Sequence, residues 1–175
     1  ELAQVLHDDK MAYLAPQARG NTWYPYSFLV PTAQNEPYLS SALQVVTDVL
    51  AQIKAAGTPP EKIIIAGFSQ GACLASEFVA RNARRYGGLI AFSGGLIGAP
   101  GTPRDYAGSL AGTPVFLGCS NVDFHIPEGR VHETAEVLEQ LGADVNKKIY
   151  PNMGHTIIQD EIDQALKIVQ AVVTG

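Results

Sequence analysis

The run Ile63-Ile64-Ile65-Ala66 leads straight into Gly67-Phe68-Ser69-Gln70-Gly71, and a helical pattern follows from about Gln70 to Arg84. A continuous apolar run of this kind fits a strand buried on both faces, which occurs where helices cover a parallel sheet. A strand that becomes a helix within so few residues leaves little room at the turn. Gly67 and Gly71 are expected to let the two elements pass closely, with Ala72 and Ala75 extending the small face. This junction fixes the kind of fold the rest of the chain must complete.

The remaining sequence repeats the alternation. Ala12 to Ala15 reads as a strand ended by Pro16. Leu39, Leu43, Val46, Leu50 and Ile53 recur at helical spacing, and Gly57, Pro59 and Pro60 stop that helix. Leu89 to Phe92, Val115 to Gly118 and Val145 to Tyr150 read as further strands. Val131, Ala135, Leu138 and Leu141 mark one more helix, closed by Gly142, and Ile158, Ile162, Leu166, Val169 and Val173 mark the last. The stretch from Gly94 to Pro114 is too rich in Gly and Pro for regular structure. Without repeats or a charged linker, residues 1–175 are expected to form a single α/β domain, with a mostly parallel central sheet and helices on both faces. In such sheets chemistry gathers beyond the carboxyl ends of the strands. Those ends lie after Ala66, Phe92, Gly118 and Tyr150.

Charge narrows the partners. Twelve basic against seventeen acidic side chains give a net charge of −5. No basic stripe is available to neutralise phosphates, so nucleic acid is not an expected partner. No apolar run reaches the ~20 residues of a membrane span. Cys73 and Cys119 match no metal-ligand spacing and read as buried apolar residues, which suits a reducing cytoplasm; no metal and no cofactor are expected.

Gly67-Phe68-Ser69-Gln70-Gly71 is also a G-x-S-x-G motif in the strand–turn–helix setting that presents a serine nucleophile. Ser69 would be displayed at the top of the sheet, and the backbone N–H of Gln70, at the start of the helix, would be one donor to an oxyanion. A serine hydroxyl needs a base. His155 follows the last strand in Tyr150-Pro151-Asn152-Met153-Gly154-His155, where a loop can bring the imidazole over the sheet edge. His7 and His132 fall in helix-like segments, and His125 is the main rival. Asp123, in the loop after Gly118, would orient the base, and the order Ser69, Asp123, His155 suits this arrangement.

These stretches resemble the phospholipase/carboxylesterase group of α/β-hydrolases, which includes acyl-protein thioesterases. The resemblance is carried by Leu14-Ala15-Pro16-Gln17-Ala18, Asn21-Thr22-Trp23-Tyr24-Pro25, Gly67-Phe68-Ser69-Gln70-Gly71-Ala72, Ser93-Gly94-Gly95-Leu96, Asp123 with Ile126-Pro127, and Gly154-His155. It implies a triad of Ser69, Asp123 and His155, with Trp23, Tyr24 and the Phe28-Leu29-Val30 stretch bordering an acyl-binding cleft. The chain departs from the family in two places. Cys119-Ser120 stands where members carry His-Gly. The His-Gly-x-Gly loop and the strand before it, which supply a second oxyanion donor and a central sheet position between the segments near Tyr13 and Ile65, have no counterpart here. The chain begins at Glu1 without an initiator Met, and is therefore expected to be N-terminally incomplete.

The function implied is a serine carboxylic-ester hydrolase that works through an acyl-enzyme on Ser69, on a small ester, thioester or lysophospholipid. A homodimer is compatible with it. The alternative is a non-catalytic protein or inactive fragment that uses the same cleft only to bind a ligand.

Overall fold

Four of the expected strands become neighbours in one parallel sheet in the computed structural model, which describes residues 2–175. They are β1 (Ile64–Phe68), β2 (Gly88–Phe92), β3 (Pro114–Ser120) and β4 (Asp144–Tyr150), in spatial order β1-β2-β3-β4. The register sets Phe68 beside Phe92, Phe92 beside Gly118, and Ser120 beside Tyr150. All four carboxyl ends therefore finish at one edge.

The helices are α1 (Leu2–Val5), α2 (Tyr38–Ala55), α3 (Gln70–Arg81), α4 (Glu128–Gln140) and α5 (Gln159–Thr174). Alternation along the strands divides the core in two. Leu89, Ala91, Val115, Leu117 and Cys119 face α2, α3 and α4. Ile90, Phe92 and Phe116 face α5 and Leu6. Both faces of β2 are buried throughout, which is why its sequence shows no polar alternation.

The long connection between β2 and β3 contains no helix and is held by buried charge. Glu77 of α3 accepts the Ile97 N–H at 2.9 Å and the Tyr106 hydroxyl at 3.1 Å. Arg104 donates to Glu133 of α4 at 2.8 Å. Irregular backbone is tolerated there because side chains supply the partners that a ladder would have given.

The segment from Ala12 to Ala15 is not a strand, contrary to expectation. An apolar run becomes a strand only when a ladder is available beside it, and no neighbour of the sheet reaches this one. Between the segment and β1 lies an apolar cavity of about 730 Å³, walled by Leu6, Met11 and Leu14 on one side and by Ile63, Ile65 and Leu50 on the other. Among the described residues β1 has no partner on that edge, and Ala66 and Phe68 are exposed. The gap lies between the segments near Tyr13 and Ile65, the position at which the resemblance implies a further strand.

An uncovered edge beside an apolar cavity invites pairing with other chains. Residues 1–175 expressed alone should therefore associate in a concentration-dependent way, as read by sedimentation velocity. A monodisperse monomer across the accessible concentrations would mean that the edge is protected.

Candidate active site

The turn between β1 and α3 imposes an unusual backbone on Ser69, with φ 54° and ψ −120°. Such a conformation costs a non-glycine residue on the order of 1–3 kcal/mol, and persists only where its surroundings hold it. Here the Ser69 N–H is tied to the Phe92 carbonyl oxygen of β2 at 2.9 Å, while its own carbonyl accepts the Cys73 N–H at 3.0 Å. Gly67 is required, because a Cβ there would fall inside the backbone of Gly71. Gly94 is pressed against Ala72 in the same way. Gly71 differs from the sequence reading. A Cβ on it would meet open space, so the close approach belongs to Gly67 alone.

Three loop ends converge above this turn. The Ser69 hydroxyl lies 2.8 Å from His155 Nε2, and His155 Nδ1 lies 2.7 Å from Asp123 Oδ2. This assigns the proton on Nδ1 to the bond with Asp123 and leaves Nε2 to accept from Ser69. The other oxygen of Asp123 accepts the N–H groups of His125 at 2.8 Å and Ile126 at 3.1 Å. Burial would raise the Asp123 pKa, but the hydrogen bonds from His155 and these two amides outweigh it and hold the carboxyl below its ordinary range. The group is thus ionised beside the imidazole.

The structure also places the other histidines. His125 does not reach Asp123 with its ring; only its backbone does. Its ring packs against that of His155 at 4.8 Å between centroids, and Phe68 packs on the same ring at 4.8 Å. His132 pairs with Glu128 and His7 with Asp9, so neither contacts the cluster.

A cleft of about 200 Å³ opens at Ser69, lined by Tyr24, Tyr26, Phe28, Cys73 and Ile126. Tyr24, one of the expected substrate-binding residues, is in this wall. Trp23 and Leu29 are not. Trp23 lines the larger cavity beside β1, and its backbone N–H is held by Gln70. Leu29 packs against the core.

Two positioning contacts escaped the sequence. The side chain of Gln70 accepts the Trp23 N–H at 2.7 Å and donates to the Tyr24 carbonyl at 2.9 Å, pinning the cleft wall to the start of α3. Its backbone N–H heads the helix, where the first amides lack intrahelical acceptors. Asn121, in the loop of Asp123, accepts the Asn152 N–H of the His155 loop at 2.9 Å. No local pattern signals either bond, since the partners are far apart in sequence. Cys73 and Cys119 are free and buried, and burial pushes both thiols up to about 12.

The chain is similar to several known proteins. A probable carboxylesterase from rice (Oryza sativa subsp. japonica) is 30% identical over 131 residues, 75% of this chain and 56% of its own length. Acyl-protein thioesterase 1 of Saccharomyces cerevisiae is 30% identical over 118 residues, 65% of this chain and 51% of its own. The crystal structure of a phospholipase/carboxylesterase from Dyadobacter fermentans superimposes with a TM-score of 0.85 at 50% identity, covering 88% of this chain and 74% of that one. The chain spans about half the length of the curated relatives it matches. The family model for phospholipases and carboxylesterases matches residues 8–173, and the chain belongs to that family of α/β-hydrolases.

Proposed function

We propose that this chain carries the catalytic residues of a serine carboxylic-ester or thioester hydrolase, with Ser69 as nucleophile, His155 as base and Asp123 as the residue that orients it. The observation that carries the reading is the unbroken relay from Ser69 Oγ through His155 to Asp123 Oδ2, at 2.8 and 2.7 Å. Three residues far apart in sequence meet in the order and geometry that proton transfer needs.

In the proposed reaction Ser69 Oγ attacks the substrate carbonyl carbon as its proton passes to His155 Nε2. The imidazolium is stabilised by the ionised Asp123. The resulting oxyanion is met by the N–H of Gln70, and one such donor contributes about 3 kcal/mol to the transition state. Collapse breaks the bond to the alcohol or thiol, which leaves with the proton from Nε2, and an acyl group remains on Ser69. Water then attacks that ester, gives a proton to His155, and releases the acid and free Ser69. No step calls on a metal or organic cofactor. A cleft of about 200 Å³ suits a short acyl group better than a long chain.

The proposal extends to the whole polypeptide. The open edge of β1 and the relatives' greater length support a longer protein in which a further strand fills the gap and a loop beyond it adds a second oxyanion donor. The free cysteines support a reducing compartment. No helix among the described residues is long and apolar enough to cross a membrane. A non-catalytic ligand-binding role is the competing reading, favoured only by the single oxyanion donor among the described residues.

In the full-length protein, Ser69→Ala should abolish hydrolysis of p-nitrophenyl butyrate and labelling by a fluorophosphonate probe. Asp123→Asn and His155→Ala should each lower kcat by about 10³- to 10⁴-fold, and their effects should not add, because the three groups act as a unit. His125→Ala should cost less than about tenfold, since its ring only packs on His155. Wild-type protein that neither labels nor hydrolyses would favour the binding role. An inactive His125 variant beside an active His155 variant would overturn the base assignment.

A further inference from the structure

The proposed reaction uses three side chains, yet a further carboxyl lies buried between β3 and the end of the loop that carries His155. Glu161, in the first turn of α5, is completely buried. Its Oε2 accepts the Ile158 N–H at 2.9 Å, and its Oε1 has no hydrogen-bond partner. The carboxyl fits there because β3 carries glycine at position 118, where any Cβ would collide with Oε1. Burial of a carboxyl with one oxygen unpaired is costly, so local helix capping is a weak reason to place it there. Ile158 has no side-chain acceptor, so only the reverse arm of a capping box exists.

The location supplies a stronger reason. Glu161 stands between β3, whose end leads to Asp123, and the loop that carries His155. Apart from the bonds of the imidazole itself, the loop backbone donates to two side-chain acceptors that flank it. Asn121 takes the Asn152 N–H before His155, and Glu161 takes the Ile158 N–H after it, each at 2.9 Å. The only backbone bond between them is a short turn from the Thr156 N–H to the Gly154 carbonyl. The imidazole is thus suspended between two fixed points, one on each side.

We infer that Glu161 is a positioning residue for His155, holding the Gly154–Ile158 segment against β3 so that the imidazole keeps its bonds to both Ser69 and Asp123. The inference rests on the function proposed above. The charged and titratable groups around Glu161 are consistent with it. Asp160, beside it on α5, is occupied by Lys148 Nζ at 2.8 Å and the Tyr150 hydroxyl at 2.6 Å, both from β4. Cys119 on β3 carries a thiol pushed up by burial. Among the described residues no cation is paired with Glu161. Burial pushes its carboxyl up to about 7, partly offset by the Ile158 amide and reinforced by Asp160. A group with a raised pKa favours the fold fully below its unfolded value and loses that contribution as pH rises through about 7. The site therefore keeps a carboxyl that weakens the fold at higher pH, as expected of a group retained for geometry.

Two variants of the full-length protein separate positioning from stability. Glu161→Met keeps the length of the side chain, removes the buried carboxyl and lacks an acceptor. Glu161→Gln keeps an acceptor oxygen for Ile158. The Met variant should match or exceed the wild type in thermal stability at pH 8. Its kcat for p-nitrophenyl butyrate should nevertheless fall by about 10- to 100-fold with KM changed less than about threefold, because a displacement near 1 Å is enough for such a loss. Its Ile158 amide should exchange with deuterium at least about tenfold faster, whereas the Gln variant should stay within about threefold of wild type in kcat, KM and exchange. A Met variant with wild-type kcat and exchange, or a Gln variant as impaired as Met, would overturn the inference. If no form of the protein hydrolyses esters, the proposed function fails, and exchange at Ile158 still decides whether Glu161 holds the loop.

Discussion

The close contact of Gly67 with the Gly71 backbone is the constraint on which the carboxyl edge of the sheet depends. It forces β1 to become α3 through a single residue of positive φ, and so fixes the Ser69 side chain, the direction of α3 and the position of the Gln70 amide together. The strain at Ser69 is held by bonds to two other elements, the Phe92 carbonyl on β2 and the Cys73 amide inside α3. Ser69 is thus fixed by the turn itself. Asp123 and His155 reach it on loops, and each loop needs its own fastening.

Those fastenings follow one physical rule. Asp123 is held by the amides of its own turn, the Asp123 loop by Asn121 reaching across to Asn152, and the far side of the His155 loop by Glu161. In each case a side-chain oxygen takes a backbone N–H that no ladder can satisfy. Loops at strand ends have no neighbours of their own, and polar side chains give them a fixed geometry. The cleft wall is built likewise, with Gln70 gripping the backbone of Trp23 and Tyr24.

Much of this arrangement was legible in the sequence where the signal is local. Continuous apolar runs marked β1, β2 and β3. Burial on both faces accounts for β2 and most of β3, whereas β1 is partly exposed along its open edge. β4 was marked by its place after the α4 pattern, although Asn146, Lys147 and Lys148 interrupt its apolar residues. Gly-x-Ser-x-Gly between a strand and a helix marked the turn, and a glycine just before His155 marked a flexible loop after the last strand. What depends on distant partners was not legible. Ala12 to Ala15 has strand composition but no ladder to join. Gly71 looked as necessary as Gly67 because only coordinates show which of two glycines is under the other's backbone. Trp23 was expected at the cleft because the family resemblance implies it, whereas it lines the cavity beside β1. Glu161 gave no sign at all, as a glutamate in the first turn of a helix is commonplace.

The uncovered edge of β1 links fold and chemistry. The strand that ends at Ser69 is the one with a cavity of about 730 Å³ along its free side. A segment that covered this edge would also buttress Ser69, so under the proposed function sheet completion and activity are expected to rise together. The most direct test of the central claim is to mix full-length protein with p-nitrophenyl butyrate, quench in acid within the first turnover, and identify the modified peptide by mass spectrometry. The proposed chemistry requires one butyryl group on the peptide that contains Ser69, formed with a burst of p-nitrophenolate. Hydrolysis without any acylated peptide, or acylation at another residue, would contradict it.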